Sequence, residues 1–233
     1  MTDRSSVLRM IGLGQILTLI GLVGFVALFV RALAFTPLEV QQGAAQKIMY
    51  VHVPAAWAAL VAIGLTGLLS AVYLWLREER ADRAAAASAE VGVLFGTVML
   101  TTGPLWGKPI WGAWWVWDAR LTSTLFLYLL FVGYLVLRDS VEDRSMRARF
   151  SAVVGLLGLV LVPFVHLTVY MFRTQHPDPV VLKPEGATMP GSMVATLLLG
   201  VAVFTVLYFG FVTQRYALTV LDELQKQEMY DAA

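Results

Sequence analysis

Apolar residues run along this chain in long unbroken blocks. They show neither the alternation of a half-buried strand nor the narrow stripe of a soluble helix. Residues 10–30 and 57–76 carry no charge. A third uncharged block, 121–137, sits between Arg120 and Arg138, and a fourth begins at Phe150, between Arg149 and Arg173. A fifth, 192–213, ends just before Arg215. A helix needs roughly 20 mainly apolar residues to cross a bilayer, so these blocks predict spans over 10–30, 57–76, 121–137, 150–170 and 192–213. Residues 91–107 are also uncharged, but Pro104 should cut a helix short there. Extended backwards through 84–89, with Glu90 accepted near one end, this block gives a span over 84–105. The expected fold is all-α: a polytopic membrane protein of six transmembrane helices, forming one domain over 1–233 without internal repeats.

Composition supports a bilayer as the solvent. The chain is 58% hydrophobic with mean hydropathy +0.72, and only 14% of its residues are charged. A soluble domain of this size cannot bury so much apolar surface. With the N-terminus inside, eleven of the seventeen Lys and Arg residues fall on the inner side and six on the outer. That bias predicts both termini in the cytoplasm. The first block is long enough to span and is expected to be retained rather than cleaved. The inner loops 77–83 and 138–149 read as solvated helix ends. Residues 174–191 contain Pro177, Pro179, Pro184 and Pro190 and read as loop. After Arg215 the chain is expected to prolong the last helix, with Leu218, Leu221 and Leu224 offering an apolar edge to the membrane or a partner. There are no cysteines, which excludes disulfides, thiol ligands and a cysteine nucleophile. The net charge of +1 gives no support to nucleic acid as a partner.

The chemistry concentrates on the outer side. "WGKPIWGAWWVWDAR", residues 106–120, holds five of the seven tryptophans: Trp106, Trp111, Trp114, Trp115 and Trp117. An aromatic belt explains one or two per loop, not five. Gly107, Pro109 and Gly112 argue for a loop over 106–119, between the third and fourth helices. Trp115 and Trp117, two apart, suit an extended segment showing both rings on one face. Such a platform fits an apolar helix of another protein, a lipid or quinone, or a planar macrocycle. The three histidines narrow the choice. His52, in "YVHVPAAW", is expected just outside the start of the second helix, because Pro54 disfavours helical geometry at Val53. His176, in "RTQHPDP", is expected on a loop. His166 lies within the fifth block and is expected to face the bundle interior. Haem is flat and largely apolar, its iron takes axial histidines, and its propionates want cations. His52 and His176 offer imidazoles from separate loops. Lys108 and Arg120 offer cations beside the indoles. Asp118 reads first as the N-cap of the fourth helix.

"WGKPIWGAWWVWDARLTS" resembles the tryptophan-rich WWD signature of the haem-handling proteins of cytochrome c maturation. "YVHVPAAW" resembles the histidine motif of the haem exporter protein C family among them. The resemblance covers nearly the whole chain. It implies that haem b, iron protoporphyrin IX, is bound on the periplasmic face of a bacterial inner membrane. His52 and His176 are implied as its axial ligands. Trp106, Trp111, Trp114, Trp115, Trp117, Lys108, Asp118 and Arg120 are implied around it. His166, ten residues before His176, matches no ligand position, and no residue of 178–191 is assigned. The implied partners are a periplasmic haem chaperone that receives the haem, an ABC transporter made of an ATPase and a membrane subunit, and a small single-span accessory subunit. The chain itself has no phosphate-binding P-loop, so ATP hydrolysis falls to a partner, and no independent enzyme activity is expected. Two other functions are open: a true transmembrane haem transporter, and a quinone-binding membrane anchor.

Overall fold

In the computed structural model of the chain, which describes residues 3–176 and 187–232, six long helices form a bundle. They are α1 (Arg4–Val30), α2 (Met49–Leu76), α3 (Glu79–Trp111), α4 (Ala119–Ser140), α5 (Arg144–Met171) and α6 (Gly191–Asp231). All six are long and apolar enough to cross a membrane, and the described residues contain no strand. The chain is a multi-pass membrane protein. Arg4 lies 3.7 Å from Glu228, so α1 starts and α6 finishes at the same end of the bundle. That end carries most of the charge, and the opposite end carries the tryptophan-rich stretch and the histidines.

Three aspartates start helices. Asp3, Asp118 and Asp143 each accept a backbone N–H three residues on, from Ser6, Leu121 and Met146, which satisfies a donor the helix itself leaves unpaired. Every helix is longer than its expected span. Two of the helices run past prolines expected to mark their ends. The third helix passes through Pro104 and Pro109 to Trp111, so the tryptophan-rich stretch is helical over 106–111 and irregular only over 112–118. The second starts at Met49, directly after a short 3-10 turn (Ala44–Ile48), and contains Pro54. Burial of Met49 and Tyr50 in the core outweighs the local preference of the residue before proline. Prolines of this kind are tolerated where packed neighbours take up the freed backbone groups. The last helix does continue, but Val7, Ala217 and Val220 pack together with Met10, Ile11, Leu221 and Leu224. Its apolar edge is thus covered in part by α1. Of the expected 174–191 loop, Pro177, Pro179, Lys183 and Pro184 lie outside the described residues.

Small residues set the packing. The helices α1 and α6 lie together along their length; Gly14 and Gly21 of α1 face Gln214 and Leu207 of α6 with no room for a side chain. In α2, Ala55, Ala58, Ala59 and Ala62 are buried against Phe95 of α3 and Phe204, Leu207 and Tyr208 of α6. Buried polar atoms pair internally: the Ser88 hydroxyl lies 2.8 Å from the Ala62 carbonyl and 2.7 Å from the Tyr208 hydroxyl. Helix association in lipid uses this combination of close backbones and a few polar bonds.

Ion pairs fasten the charged end. Arg138 holds Asp82 through two bonds of 2.6 and 2.9 Å, and its guanidinium stands over the Tyr134 ring. Glu223 of α6 meets Arg83 at 2.9 Å and Arg144 at 3.0 Å. Further along the bundle Glu90, the one acid accepted within a span, pairs with Arg215.

The α2–α5 contact offers a direct check. A Cβ on Gly67 would stand 2.4 Å from the Leu159 Cβ and 2.8 Å from the Gly155 carbonyl oxygen, whereas a Cβ on Gly64 meets nothing within 4 Å. Gly67→Ala is expected to destabilise the detergent-purified protein by about 1–3 kcal/mol through overpacking. Gly64→Ala should be neutral or slightly stabilising. Equal melting temperatures for the two variants would contradict this packing.

Candidate functional site

His52 is the fourth residue of α2, inside the helix rather than ahead of it. Its Nδ1 is 3.1 Å from the Met99 carbonyl oxygen and 3.1 Å from the Thr102 hydroxyl, both on α3. A carbonyl only accepts, so Nδ1 carries the proton and donates, and Nε2 keeps its lone pair. Metal-binding histidines are commonly oriented this way. The Trp106 ring stands edge-on to the imidazole, with centroids 5.8 Å apart. Its indole N–H donates to Gln42 at 3.0 Å, which ties α3 to the segment before α2. Gly103 makes this approach possible, since a Cβ there would come within 3.2 Å of the imidazole Cε1.

Beyond Trp111 the helix is closed by Gly112, at φ +73°, whose N–H bonds the Lys108 carbonyl. Only glycine takes this left-handed cap readily. The Lys108 ammonium turns back to the Gly112 carbonyl at 2.8 Å and lies 6.0 Å from the centre of the Trp114 ring. Residues 115–118 have no regular structure. Trp115 and Trp117 meet edge to face, with centroids 5.8 Å apart, as expected for neighbours on one side of an extended segment. Trp114 is 57% exposed and Trp117 76%. The Trp115 ring is half-buried, and its buried indole N–H has no acceptor among the described residues.

Asp118 closes the stretch. One oxygen caps α4 through the Leu121 N–H, at 2.8 Å. The other accepts the Thr174 hydroxyl at 2.5 Å and the Gln175 N–H at 2.9 Å. Burial pushes its pKa up, but these hydrogen bonds outweigh burial and hold the carboxyl below the usual carboxylate range. The same turn carries His176, whose N–H donates to the Thr174 hydroxyl at 3.1 Å. His176 is close enough to His52 for their charges to interact. The two imidazoles that the sequence singles out thus lie at the same end of the bundle, within electrostatic reach of each other.

Two other placements differ from expectation. His166 does not face the interior; it is exposed on α5, within electrostatic reach of Arg120. Val165 and Thr168 take the buried positions beside it, so the imidazole is left on the outer face. Arg120 reaches across to α5 and donates to the Val165 carbonyl at 2.7 Å. Its position in the first turn of α4, unfavourable to the helix dipole, is offset by that bond. Sequence reasoning does not find the Met99 carbonyl, Thr102, Gln42 or Thr174. Thr174 alone leaves a trace, as a short hydroxyl two residues before His176.

The profile of the family described as heme exporter protein C matches residues 5–231. A Haemophilus influenzae protein named heme exporter protein C is 36% identical over 198 residues, which is 85% of this chain and 80% of that protein. A Bradyrhizobium diazoefficiens protein of the same name is 39% identical over 175 residues, 75% of this chain and 66% of its own length. One from Escherichia coli K12 is 39% identical over 142 residues, 61% of this chain and 58% of its own length.

The His52 geometry has a direct spectroscopic consequence. In 15N-histidine-labelled protein without added ligand, neutral His52 should appear as the Nδ1–H tautomer, identified by loss of its signals in His52→Ala. An Nε2–H tautomer would show that the Met99 carbonyl does not orient the ring.

Proposed function

The chain belongs to the heme exporter protein C family, and from that premise we propose that it holds haem b as cargo and delivers it for cytochrome c maturation. The proposed site is at the tryptophan-bearing end of the bundle, on the periplasmic face of a bacterial inner membrane, with both termini in the cytoplasm. The observation that carries the reading is that His52 and His176 lie within electrostatic reach of each other, at the end of the bundle that bears the exposed Trp114 and Trp117 rings. These residues are far apart in sequence, and nothing in helix packing alone calls for two imidazoles there.

The local chemistry supports this assignment. The Met99 carbonyl holds the Nδ1–H of His52 and so leaves the Nε2 lone pair for a metal, and His176 supplies the second imidazole of a bis-histidine axial pair. The exposed Trp114 and Trp117 rings suit a flat apolar macrocycle. The unpaired Trp115 N–H is a donor that an anionic oxygen such as a propionate satisfies. Lys108 and Arg120 are each partly engaged with a carbonyl, but an ammonium has three donors and a guanidinium five. Both keep capacity for a carboxylate. Trp106 and Trp111, on the last helical turns, form the wall behind this platform, and Asp118 its far edge.

Transfer to a periplasmic haem chaperone requires release of at least one axial bond. His52 is fixed on a helix, and His176 sits on an irregular turn, so His176 is the ligand that yields. The partners are a haem chaperone, an ABC ATPase with its membrane subunit, and a small single-span subunit; ATP hydrolysis is theirs. A haem channel through this chain is the weaker reading. Thr97, Thr101, Thr102 and Thr124 within the spans return their hydroxyls to their own helices, and Glu90 is paired with Arg215.

Haemin added to the detergent-purified full chain is expected to bind in near-stoichiometric amount by pyridine haemochrome and to give six-coordinate low-spin bands. His52→Ala and His176→Ala should each convert the bound haem to a five-coordinate high-spin form and lower its retention. Unchanged bands in both variants would refute the ligand pair, and the absence of haem binding would favour a quinone anchor. Accumulation of protein-free haem inside sealed vesicles would favour a transporter.

A further inference from the structure

Asp118 uses its two oxygens for two different purposes. Oδ1 accepts the Leu121 N–H and caps α4. Oδ2 accepts the Thr174 hydroxyl and the Gln175 N–H. The Thr174 oxygen, having given its proton to Asp118, accepts the backbone N–H of His176. An unbroken run of hydrogen bonds thus joins the end of the tryptophan-rich stretch to the backbone of His176, on a segment 56 residues away in sequence.

We propose that Asp118 is the positioning residue for the second imidazole: its Oδ2 fixes the 174–176 turn and thereby holds the His176 ring within reach of His52. This rests on the reading of His176 as an iron ligand. Three observations support it. The helix α5 ends at Met171 with Phe172 already extended, so no regular structure holds residues 173–176. A loop must be ordered before its side chain can bind well, and that ordering costs conformational entropy. The anchor is a carboxylate, which makes stronger, charge-assisted bonds than a neutral acceptor. Capping does not itself require an acid, since Asn, Ser and Asp cap helices about equally. The second oxygen is what makes aspartate specific here, because an amide in its place presents donors to the Thr174 hydroxyl and the Gln175 N–H. The tryptophan-rich stretch and the His176 turn are thereby one mechanical unit, and a movement of the first carries the second.

Asp118→Asn separates the two purposes. The amide oxygen keeps the α4 cap, and the amide nitrogen removes the acceptor for the turn. Thr174→Val breaks the same bond from the other side and leaves the cap untouched. Asp143→Asn makes the same exchange at the α5 cap, at the opposite end of the bundle, as a control. With haemin titrated into each detergent-purified full chain, Asp118→Asn is expected to retain its helical circular dichroism. Its bound haem should shift towards high-spin bands and dissociate about tenfold faster, the scale of one charged hydrogen bond. Added imidazole should restore the low-spin bands. Thr174→Val should behave likewise, and Asp143→Asn like the parent. If Asp118→Asn does not fold, Thr174→Val decides alone. Parental bands and dissociation rate in Asp118→Asn or Thr174→Val, with or without a loss of thermal stability, overturn the proposal. If His176→Ala still loses the low-spin bands in that case, the ligand reading stands without it. Retention of those bands by His176→Ala removes both.

Discussion

A hydrocarbon layer contains no water to satisfy a polar group, and this constraint organises the structure from one end to the other. Hydroxyls in the spans return to carbonyls one turn back, as at Thr66, Ser70, Thr97 and Thr205. Cations at the aromatic end likewise turn to backbone carbonyls or to a hydroxyl. Lys47 binds the Ala32 and Thr36 carbonyls where α1 finishes in a π-helical turn (Arg31–Phe35). Arg31 binds the Thr196 hydroxyl, Lys108 the end of α3 and Arg120 a carbonyl of α5. Basic residues at the aromatic end of the bundle thus have a structural use. Asp118 extends the same logic, since it satisfies donors of α4 and of a turn that has no helix of its own.

The number and kind of elements are legible in the sequence because uninterrupted apolar length is a one-dimensional property. Helix ends are not, because in this environment the rules for proline change. In water, Pro104 and Pro109 would stop a helix; here the packing of Gly107 against Trp111 and the capping of Lys108 by Gly112 let α3 continue to Trp111. Pro54 behaves likewise because Gly200 of α6 comes so close that a Cβ there would stand 2.8 Å from the proline ring and 3.1 Å from the Tyr50 carbonyl. The carbonyl that the missing proline N–H would have bonded is covered by a neighbouring backbone. No local pattern around residue 54 announces a glycine 146 positions later.

The site divides along the same line. The shared side of Trp115 and Trp117 and the capping by Asp118 follow from local spacing and chemistry, and the structure has these features; His52 and His176 lie within electrostatic reach of each other. What local reasoning misses is orientation. His166 sits in an apolar block and invites an inward assignment, yet Val165 and Thr168 occupy the buried stripe and turn the imidazole out. The tautomer of His52 depends on a carbonyl of another helix, which carries no side-chain signature. Trp106 reads as one more platform ring and proves to be a wall behind His52, bonded to Gln42.

These contrasts bear on how a site of this kind can both hold and release. Two equally rigid ligands would bind a metal tightly but give no easy first step for letting go. Two ligands on mobile loops would pay the ordering cost on both sides of the metal. Here one imidazole is fixed by a helix and a carbonyl, and the other is carried on a short turn that the Asp118 carboxylate anchors. The stiffness of the site is therefore unequal by construction. Its softer side is the one joined through Asp118 to the exposed tryptophans. Trp117 adjoins Asp118 in the chain, and hydrogen bonds to Thr174 and Gln175 join Asp118 to the His176 turn, while the His52 side is packed against α3. Under the haem-carrier function proposed above, such unequal stiffness lets one ligand loosen without unpacking the bundle that gives the other its precision.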